Sequence, residues 1–272
     1  MLDMERMPRH VAVIMDGNGR WAAQKGVPRL VGHNAGMEAM KEIVRRASDL
    51  GIGYLTVYAF STENWKRSEE EVSGIFRLLV KFVKLDLDEL NAENVKVCAL
   101  GDWHVIPPAA RKSLEKTLEE TKDNTGLQFN IALNYGSRAE IVRAVNRIVA
   151  DQQSGRGFGG DAGAAKSSSA SEATDAAAGG ATGADAREAA GEITEEMISR
   201  YLYTGDENGN IPDPDLIIRT SGEERLSNFL LWQSAYSEFV FTDTLWPDFS
   251  PEKFEEMIEI YQSRDRRFGG RK

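Results

Sequence analysis

The chain has 272 residues, 41% of them hydrophobic, and a formal net charge of -10 at pH 7. This length and apolar content allow a substantial core, and we expect a single domain. The negative charge argues against nucleic acid as a partner, because phosphate backbones are bound by clustered positive charge. Cys98 is the only cysteine, so an intrachain disulfide is excluded.

The N-terminal residues predict a cytoplasmic chain. Charged residues precede the apolar run Val11 to Met15, which ends at Asp16. A run this short is neither a signal peptide nor a membrane span.

The first predicted elements are a strand and a helix joined by a polar loop. The run Val11 to Met15 predicts a strand buried on both faces, and the residues from Trp21 onward favour a helix. Between them, residues 16–20 read DGNGR, and the two glycines let backbone N–H groups approach a phosphate at the helix N-terminus. The carboxylate of Asp16 would repel such an anion unless a cation lay between them. The loop therefore predicts a phosphate site with a divalent metal.

Two other interpretations of this loop are open on sequence alone. Its Asp-Gly and Asn-Gly dipeptides are typical of hairpin turns, although no alternating second strand follows. Residues 17–22 also fit the Gly-x-Gly-x-x-Gly/Ala pattern of dinucleotide-binding loops. That pattern expects an acidic residue about 20 positions later, whereas the next strand-like run ends near Glu63, far too late.

Strand-like and helix-like segments alternate along the rest of the chain, which predicts a mostly parallel α/β sheet. Thr194 and Ser250 are suitable N-terminal caps for the last two helices. The predicted strands are Val11–Met15, Tyr54–Phe60, Val95–Leu100, Leu127–Asn134 and Asp215–Ile218, and the predicted helices are Ala35–Leu50, Glu70–Asn91, Pro108–Lys122, Arg138–Val149, Thr194–Tyr201 and Pro251 to about Arg264.

Two segments differ from an ordinary α/β pattern. Residues 151–191 consist largely of Ala, Gly, Ser and Asp, which cannot bury enough apolar surface to fold alone. We interpret them as a flexible insertion within one domain. The predicted helix around residues 74–85 is more apolar than a surface helix requires, which fits a core helix, a subunit contact or the wall of a pocket for a long apolar ligand. Its two apolar stripes are Ile75, Leu78, Leu79 and Phe82, and Phe76, Val80, Val83 and Leu87.

Polar clusters follow the carboxyl ends of three predicted strands, at residues 16–20, 61–67 and 219–227. Ligands bind at this edge of open parallel sheets, so we expect the clusters to meet there. Arg219 and Arg225 flank a Ser/Thr/Gly loop and suit bidentate phosphate binding. Ion pairs of these arginines with Glu223 and Glu224 on a solvated surface are the alternative.

The histidines carry less information. His10, His33 and His104 lack the spacing of zinc ligands. His33 lies close to Arg29 at the start of a predicted helix, which suits a phosphate contact, a helix cap or an ordinary surface position.

Four ordered segments resemble the cis-prenyltransferases, in particular the undecaprenyl diphosphate synthase (isoprenyl transferase) family. They are residues 10–22, 58–67 (YAFSTENWKR), 130–136 (NIALNYG) and 215–222 (DLIIRTSG) continuing to 246–249 (WPDF). The resemblance covers nearly everything outside residues 151–191. It implies a single α/β domain with about six mostly parallel strands flanked by helices, and a hydrophobic tunnel. It also implies condensation of isopentenyl diphosphate with an allylic diphosphate such as farnesyl diphosphate, with cis stereochemistry, to give undecaprenyl diphosphate for the cell wall.

The same resemblance implies the roles of individual residues. Asp16 and Asn64 would be catalytic: Asp16 would hold Mg2+ together with Glu238, and Asn64 would help to position the reacting carbons. Arg267 and Gly269 would reach the partner subunit of a homodimer, and product release would involve transient membrane-surface contact. The expected substrate-binding residues are Gly17, Asn18, Gly19, Arg20, Trp21, Arg29, His33, Ser61, Thr62, Glu63, Trp65, Arg67, Glu71, Arg219, Arg225 and Ser227, of which Trp65 and Glu71 lie in a segment that closes over substrates in relatives.

Two other function classes are compatible with parts of the sequence. A catalytically silent scaffold subunit is disfavoured because Asp16, Arg219, Arg225 and Glu238 are all retained. A dinucleotide-dependent oxidoreductase is disfavoured by the misplaced acidic residue and by the arginine-containing loop after residue 218.

Overall fold

The structure is a computed structural model that describes residues 2–85, 87–154 and 192–264, and of residues 83–85 and 87 it describes only the backbone. Its residues form two compact units, Met1–Ala139 with Ile211–Lys272 and Glu140–Asn210. Within the described part of the chain, none of the helices combines the length and apolarity needed to cross a bilayer.

The first unit is built on a six-stranded sheet in the order β3-β4-β2-β1-β5-β6. All five neighbouring pairs are parallel, which confirms the predicted fold class. Every residue of β1 is buried, as expected for a strand covered on both faces. The strands are β1 (His10–Ile14), β2 (Tyr54–Ser61), β3 (Lys96–Leu100), β4 (Gln128–Tyr135), β5 (Leu216–Arg219) and β6 (Glu238–Phe241).

Helices connect these strands, and one hydrophobic core joins them to the sheet. Alternate strand residues such as Val11 and Val13 share this core with apolar residues of five described helices of this unit. The helices of the described residues are α1 (Asn18–Lys25), α2 (Arg29–Asp49), α3 (Glu69–Leu85), α4 (Leu87–Ala92), α5 (Pro108–Thr121), α6 (Ser137–Gln153), α7 (Glu195–Tyr201) and α8 (Pro251–Gln262).

Two glycines let α1 lie directly against α2. A Cβ atom at Gly32 would lie 2.2 Å from the carbonyl oxygen of Asn18, and one at Gly36 would lie 2.3 Å from the Asn18 Oδ1. The N-terminal loop of α1 precedes it with Gly17 at φ 115°, a conformation that other residues rarely adopt. The position of residues 17–20 therefore depends on three positions where a side chain does not fit.

The second unit, Glu140–Asn210, contains most of α6 and all of α7. The buried Glu140 accepts a hydrogen bond from the Tyr203 backbone N–H at 2.8 Å. Arg143 lies 4.0 Å from the centre of the Tyr203 ring, and Arg147 pairs with Glu207 at 2.9 Å. These contacts hold the two ends of the unit together.

Three elements of the structure differ from the prediction. The short strand β6 (EFVF) is not among the predicted strands, because four residues, two of them phenylalanines, are too few to show a repeating pattern. Helix α2 begins at Arg29 rather than Ala35, because Pro28 supplies an earlier N-terminal boundary. Helix α6 continues to Gln153, so the first residues of the proposed insertion are helical. Residues 155–191 lie outside the described residues, and their assignment as an insertion stays a prediction.

Candidate functional site

A cavity of about 520 Å³ opens at the carboxyl ends of the central strands. Because β1 lies between β2 and β5, the loops that follow these three strands are neighbours. The lining has a polar set on loops and first helical turns, and an apolar set that lies mostly on α2, α3, β2 and β4. The polar set is Asp16, Gly17, Asn18, Gly19, Arg20, Arg29, His33, Asn64, Arg67 and Glu71, and the apolar set includes Met15, Met37, Met40, Ala59, Ile75, Phe76, Leu78, Leu79, Ile131, Leu133 and Trp246.

Asp16 is fixed by the sheet. Its backbone N–H donates to the Thr220 hydroxyl at 3.0 Å, and its carbonyl oxygen accepts from the Trp246 N–H at 3.0 Å. Its carboxylate lies 2.9 Å from the Arg219 guanidinium and 3.3 Å from that of Arg20. Two arginines thus lie beside this carboxylate and neutralise its charge.

Arg219 joins the first and third polar clusters. Its side chain is 4% exposed, and it donates to the Ser227 hydroxyl at 2.7 Å and to the Arg225 carbonyl oxygen. Arg20 extends the same connection by donating to the Ser221 carbonyl oxygen at 2.8 Å. The expected meeting of these two loops is therefore confirmed.

Glu71 is the centre of a second ionic cluster. Its carboxylate lies 2.9 Å from Arg67, 3.3 Å from Arg29 and 3.3 Å from the His33 Nε2. Burial alone raises the pKa of Glu71, but the His33 hydrogen bond and the Arg67 charge outweigh it and hold the pKa below its usual value. Burial lowers the pKa of His33, and the hydrogen bond to Glu71 only partly offsets this. The Glu71 carboxylate therefore lies at the point where three basic side chains, Arg29, His33 and Arg67, converge.

The loop after β2 delivers Asn64 to the cavity. Residues Thr62–Lys66 form a 3-10 helix whose first turn is closed by reciprocal hydrogen bonds between Ser61 and Asn64. The Asn64 Oδ1 accepts the Ser61 backbone N–H at 3.0 Å, which fixes the amide. Glu63 accepts from Asn228 at 3.2 Å, so this loop also contacts the loop after β5.

Several predicted site residues lie away from the described cavity lining. Trp21 donates its indole N–H to Asp248 at 2.8 Å, and the exposed Arg225 pairs with Glu223. Glu238 is the first residue of β6 and pairs in register with Leu216, the first residue of β5. Arg219, which contacts Asp16, lies at the other end of β5. The Glu238 carboxylate forms an ion pair with Arg264 at 2.7 Å. One chain therefore does not bring Glu238 to Asp16. Arg267 and Gly269 lie outside the described residues.

Sequence reasoning missed other residues of the site. Met37 and Met40 line the cavity from α2, and Trp246 lines it while donating to the Gly36 carbonyl oxygen at 2.8 Å. The glycines at positions 32 and 36 are the signal that could have found them, because this spacing marks one face of a helix for close approach.

The apolar part of the cavity lining adjoins a polar part. The polar part includes residues 17–19 and the basic side chains of Arg20, Arg29, Arg67 and His33. This arrangement defines a class of α/β protein that accommodates an amphiphile with an anionic head group and an apolar chain. Helix α3 contributes part of the apolar lining.

Comparisons with known proteins make the class specific. Residues 14–269 match the family described as "Putative undecaprenyl diphosphate synthase". The isoprenyl transferase of Agrobacterium fabrum is 50% identical over 263 residues, covering 97% of this chain and 92% of the relative. That of Clostridium perfringens is 45% identical over 266 residues, covering 98% and 91%.

Solved structures give the same result. Lavandulyl diphosphate synthase from Lavandula x intermedia, in complex with dimethylallyl diphosphate, superimposes with a TM-score of 0.82 at 33% identity, covering 98% of this chain and 100% of that one. A probable undecaprenyl diphosphate synthase from Campylobacter jejuni gives 0.70 at 28% identity, covering 99% and 100%. The chain belongs to the undecaprenyl diphosphate synthase family and is a prenyltransferase enzyme.

Proposed function

We propose that this prenyltransferase condenses isopentenyl diphosphate with an allylic prenyl diphosphate, farnesyl diphosphate first among them. The new double bonds would be cis, and the long-chain product would be undecaprenyl diphosphate, the precursor of the cell-wall lipid carrier. The observation that carries this proposal is one cavity lined both by basic groups and by the apolar residues of α3. Each added five-carbon unit gains about 0.8 kcal/mol per buried CH2 in such surroundings.

In this proposal the chain's residues have distinct tasks. The backbone N–H groups of residues 17–20, together with Arg20, Arg29 and His33, bind the allylic diphosphate. Arg219, Arg225 and Ser227 bind the diphosphate of isopentenyl diphosphate. Asn64 and Arg67 hold the two reacting carbon atoms in line, which lowers the entropic part of the barrier.

Asp16 is suited to hold Mg2+. Its carboxylate is 32% exposed and lines the cavity, within reach of a bound diphosphate. Among the described residues, no group of three or more His, Cys, Asp or Glu side chains could enclose a metal. That is consistent with Mg2+, which commonly uses one or two carboxylates and completes its coordination with substrate phosphates and water. When bound, the ion would neutralise negative charge that develops on the departing diphosphate.

The assay uses purified protein with farnesyl diphosphate and labelled isopentenyl diphosphate. We expect a labelled polyprenyl diphosphate whose chain length is read by chromatography, and its loss with EDTA and recovery with Mg2+. Failure to form a long lipid with the protein alone would contradict the proposal and favour a scaffold subunit. A product other than the eleven-unit chain would correct only the assigned length.

We further propose a cytoplasmic homodimer that contacts the membrane surface transiently to release its product. Arg267 and Gly269 would contact the partner subunit. Analytical ultracentrifugation should show a dimer, and binding to anionic vesicles should rise when product is bound. A monomer with full activity would contradict the dimer and the role of these residues.

A further inference from the structure

Asn134 joins two loops at the end of β4 by using both ends of its amide. Its Nδ2 donates to the Asp102 carbonyl oxygen at 2.9 Å, and its Oδ1 accepts the Trp65 indole N–H at 2.8 Å. Reversing the amide would place two donors together and two acceptors together, so these partners fix its orientation. The backbone adds a further constraint, since Asn134 has φ 45°, a region in which asparagine is enriched.

Trp65 lies between this amide and the wall of the cavity. Its ring meets Phe60 edge-on at 5.0 Å and lies 5.7 Å from Phe76, which lines the cavity. Trp65 is 41% exposed, so packing covers only part of the indole. The hydrogen bond to Asn134 is therefore a directional restraint on a ring that packing holds incompletely.

Trp65 directly follows Asn64 in the same 3-10 helix, and Arg67 ends that helix. Both Asn64 and Arg67 line the cavity. A rotation of the short helix would move these two side chains together, because five residues in a tight turn have little freedom to adjust singly. The placement of Trp65 therefore adds to the contacts with Ser61 and Glu71 in setting the positions of Asn64 and Arg67.

We propose that Asn134 is a positioning residue for prenyl transfer: it holds Trp65 and, through it, Asn64 and Arg67 at the reacting atoms. This inference rests on the function proposed above. None of the roles implied by the family resemblance involves Asn134, although residues 130–136 carry part of that resemblance. Asparagine is suited to the position because it tolerates the left-handed backbone while offering a donor and an acceptor.

The test is a double-mutant cycle on catalysis. Asn134→Gly keeps the backbone freedom and removes the amide, whereas Trp65→Phe keeps an aromatic ring and removes the indole N–H. We expect each to lower kcat for condensation by about tenfold, with a smaller change in KM, and the double variant to lose little more than either single variant. Additive losses, or losses in KM alone, would overturn the proposal.

Asn94→Gly is the matched control. Asn94 also has a left-handed backbone, at φ 56°, and it also bridges with both amide ends, to the Thr125 hydroxyl and backbone N–H at 3.1 and 2.9 Å. It lies in the loop before β3, and we expect its replacement to alter stability but not kcat. An equal loss of kcat in Asn94→Gly would show that added flexibility, not positioning, explains the Asn134 result.

A spectroscopic measurement distinguishes failure of this inference from failure of the proposed function. The chain has five tryptophans, so the emission of Trp65 is obtained as the difference between the spectra of wild type and Trp65→Phe. In the Asn134→Gly background, the corresponding difference is taken between Asn134→Gly and the double variant. It should lie at longer wavelength as the indole becomes more solvated, with or without activity. No shift would overturn the inference, whereas a shift in Asn134→Gly combined with a wild-type protein that forms no prenyl product would overturn the proposed function alone.

Discussion

Asp16 and Glu71 are both carboxylates at the same cavity, but they are held in different ways. Asp16 pairs with Arg219, which is 4% exposed and lies on the neighbouring strand β5. Glu71 lies in the first turns of α3. Its carboxylate is 12% exposed, less than the 32% of Asp16, but its partners Arg29 and Arg67 are 72% and 38% exposed. Exposed ion pairs contribute little to stability, whereas breaking a buried pair leaves an uncompensated charge.

The difference suggests two kinds of anion in one site. Asp16 is part of the sheet edge and should keep its place when substrate arrives. Glu71 is held by the basic side chains Arg29, His33 and Arg67, two of which are proposed to bind the allylic diphosphate, so an entering diphosphate competes with it. We expect the first carboxylate to act in turnover and the second to limit how tightly a diphosphate binds.

The largest effect is expected for Asp16→Asn, which keeps the size of the side chain and removes its charge. We expect kcat to fall by about 10³-fold, since loss of one preorganised electrostatic contact costs factors of this order. Inorganic diphosphate should still bind, because Arg20, Arg29 and His33 are unchanged. Steady-state assays with labelled isopentenyl diphosphate and calorimetry measure the two quantities, and wild-type turnover would remove Asp16 from the mechanism.

The second prediction compares how rigidly the two carboxylates are surrounded, by replacing one nearby glycine in each region with alanine. In Gly36→Ala the new methyl group would lie 2.3 Å from Asn18 Oδ1 and 2.9 Å from Trp246 Cδ1, in the fixed region beside Asp16. In Gly74→Ala it would lie 2.6 Å from the end of the flexible Leu30 side chain, near Glu71. We expect Gly36→Ala to lose about 1–3 kcal/mol of unfolding free energy. Gly74→Ala should be near neutral, because the gain in helix propensity, about 1 kcal/mol at most, offsets the small cost of moving the Leu30 side chain.

Denaturant unfolding measures both free energies. Equal losses in the two glycine variants would show that α1 and α3 are held with equal rigidity, and the comparison between the carboxylates would lose its structural basis.

The fold could be predicted largely from local pattern. The uniformly apolar run Val11–Met15 and the polar loops after three strands were enough to place the cavity at one sheet edge, because parallel topology brings those ends together. The short edge strand β6 was not predictable, since its existence depends on pairing with β5. Periodicity is informative only where an element is long enough to repeat.

The ionic arrangement of the site was beyond sequence reasoning. Arg219 and Arg225 look alike in sequence, yet the first is buried against Asp16 and the second is exposed beside Glu223. The convergence on Glu71 requires α2 and α3 to pack together, which no local pattern specifies. The role of Asn134 depends likewise on Trp65 and Asp102, which lie on two other loops.

The third prediction concerns Glu71→Gln, which preserves shape and removes the charge that faces three basic groups. We expect metal-free inorganic diphosphate to bind roughly tenfold more tightly, because a like charge opposing the ligand is removed. Glu70→Gln is the matched control, since Glu70 is an exposed carboxylate of the same helical turn. If calorimetry gives the same affinity for both variants, Glu71 does not compete with the diphosphate.

The smallest effect is a pH dependence carried by His33. Burial keeps its pKa below the ordinary value of 6.5, and a bound diphosphate would raise this pKa by favouring the charged form. Binding then takes up a proton, so the contribution of His33 to affinity grows as pH falls through the bound-state pKa and levels off below the empty-state pKa. The ratio of wild-type to His33→Asn affinity for inorganic diphosphate should rise roughly threefold between pH 8 and pH 6. Taking the ratio cancels protonation of the diphosphate itself, and the exposed His104→Asn serves as control. A ratio that stays flat from pH 8 to pH 5.5 would mean that His33 binds the diphosphate as a neutral hydrogen-bond donor, leaving the positive charge of this cluster to Arg29 and Arg67.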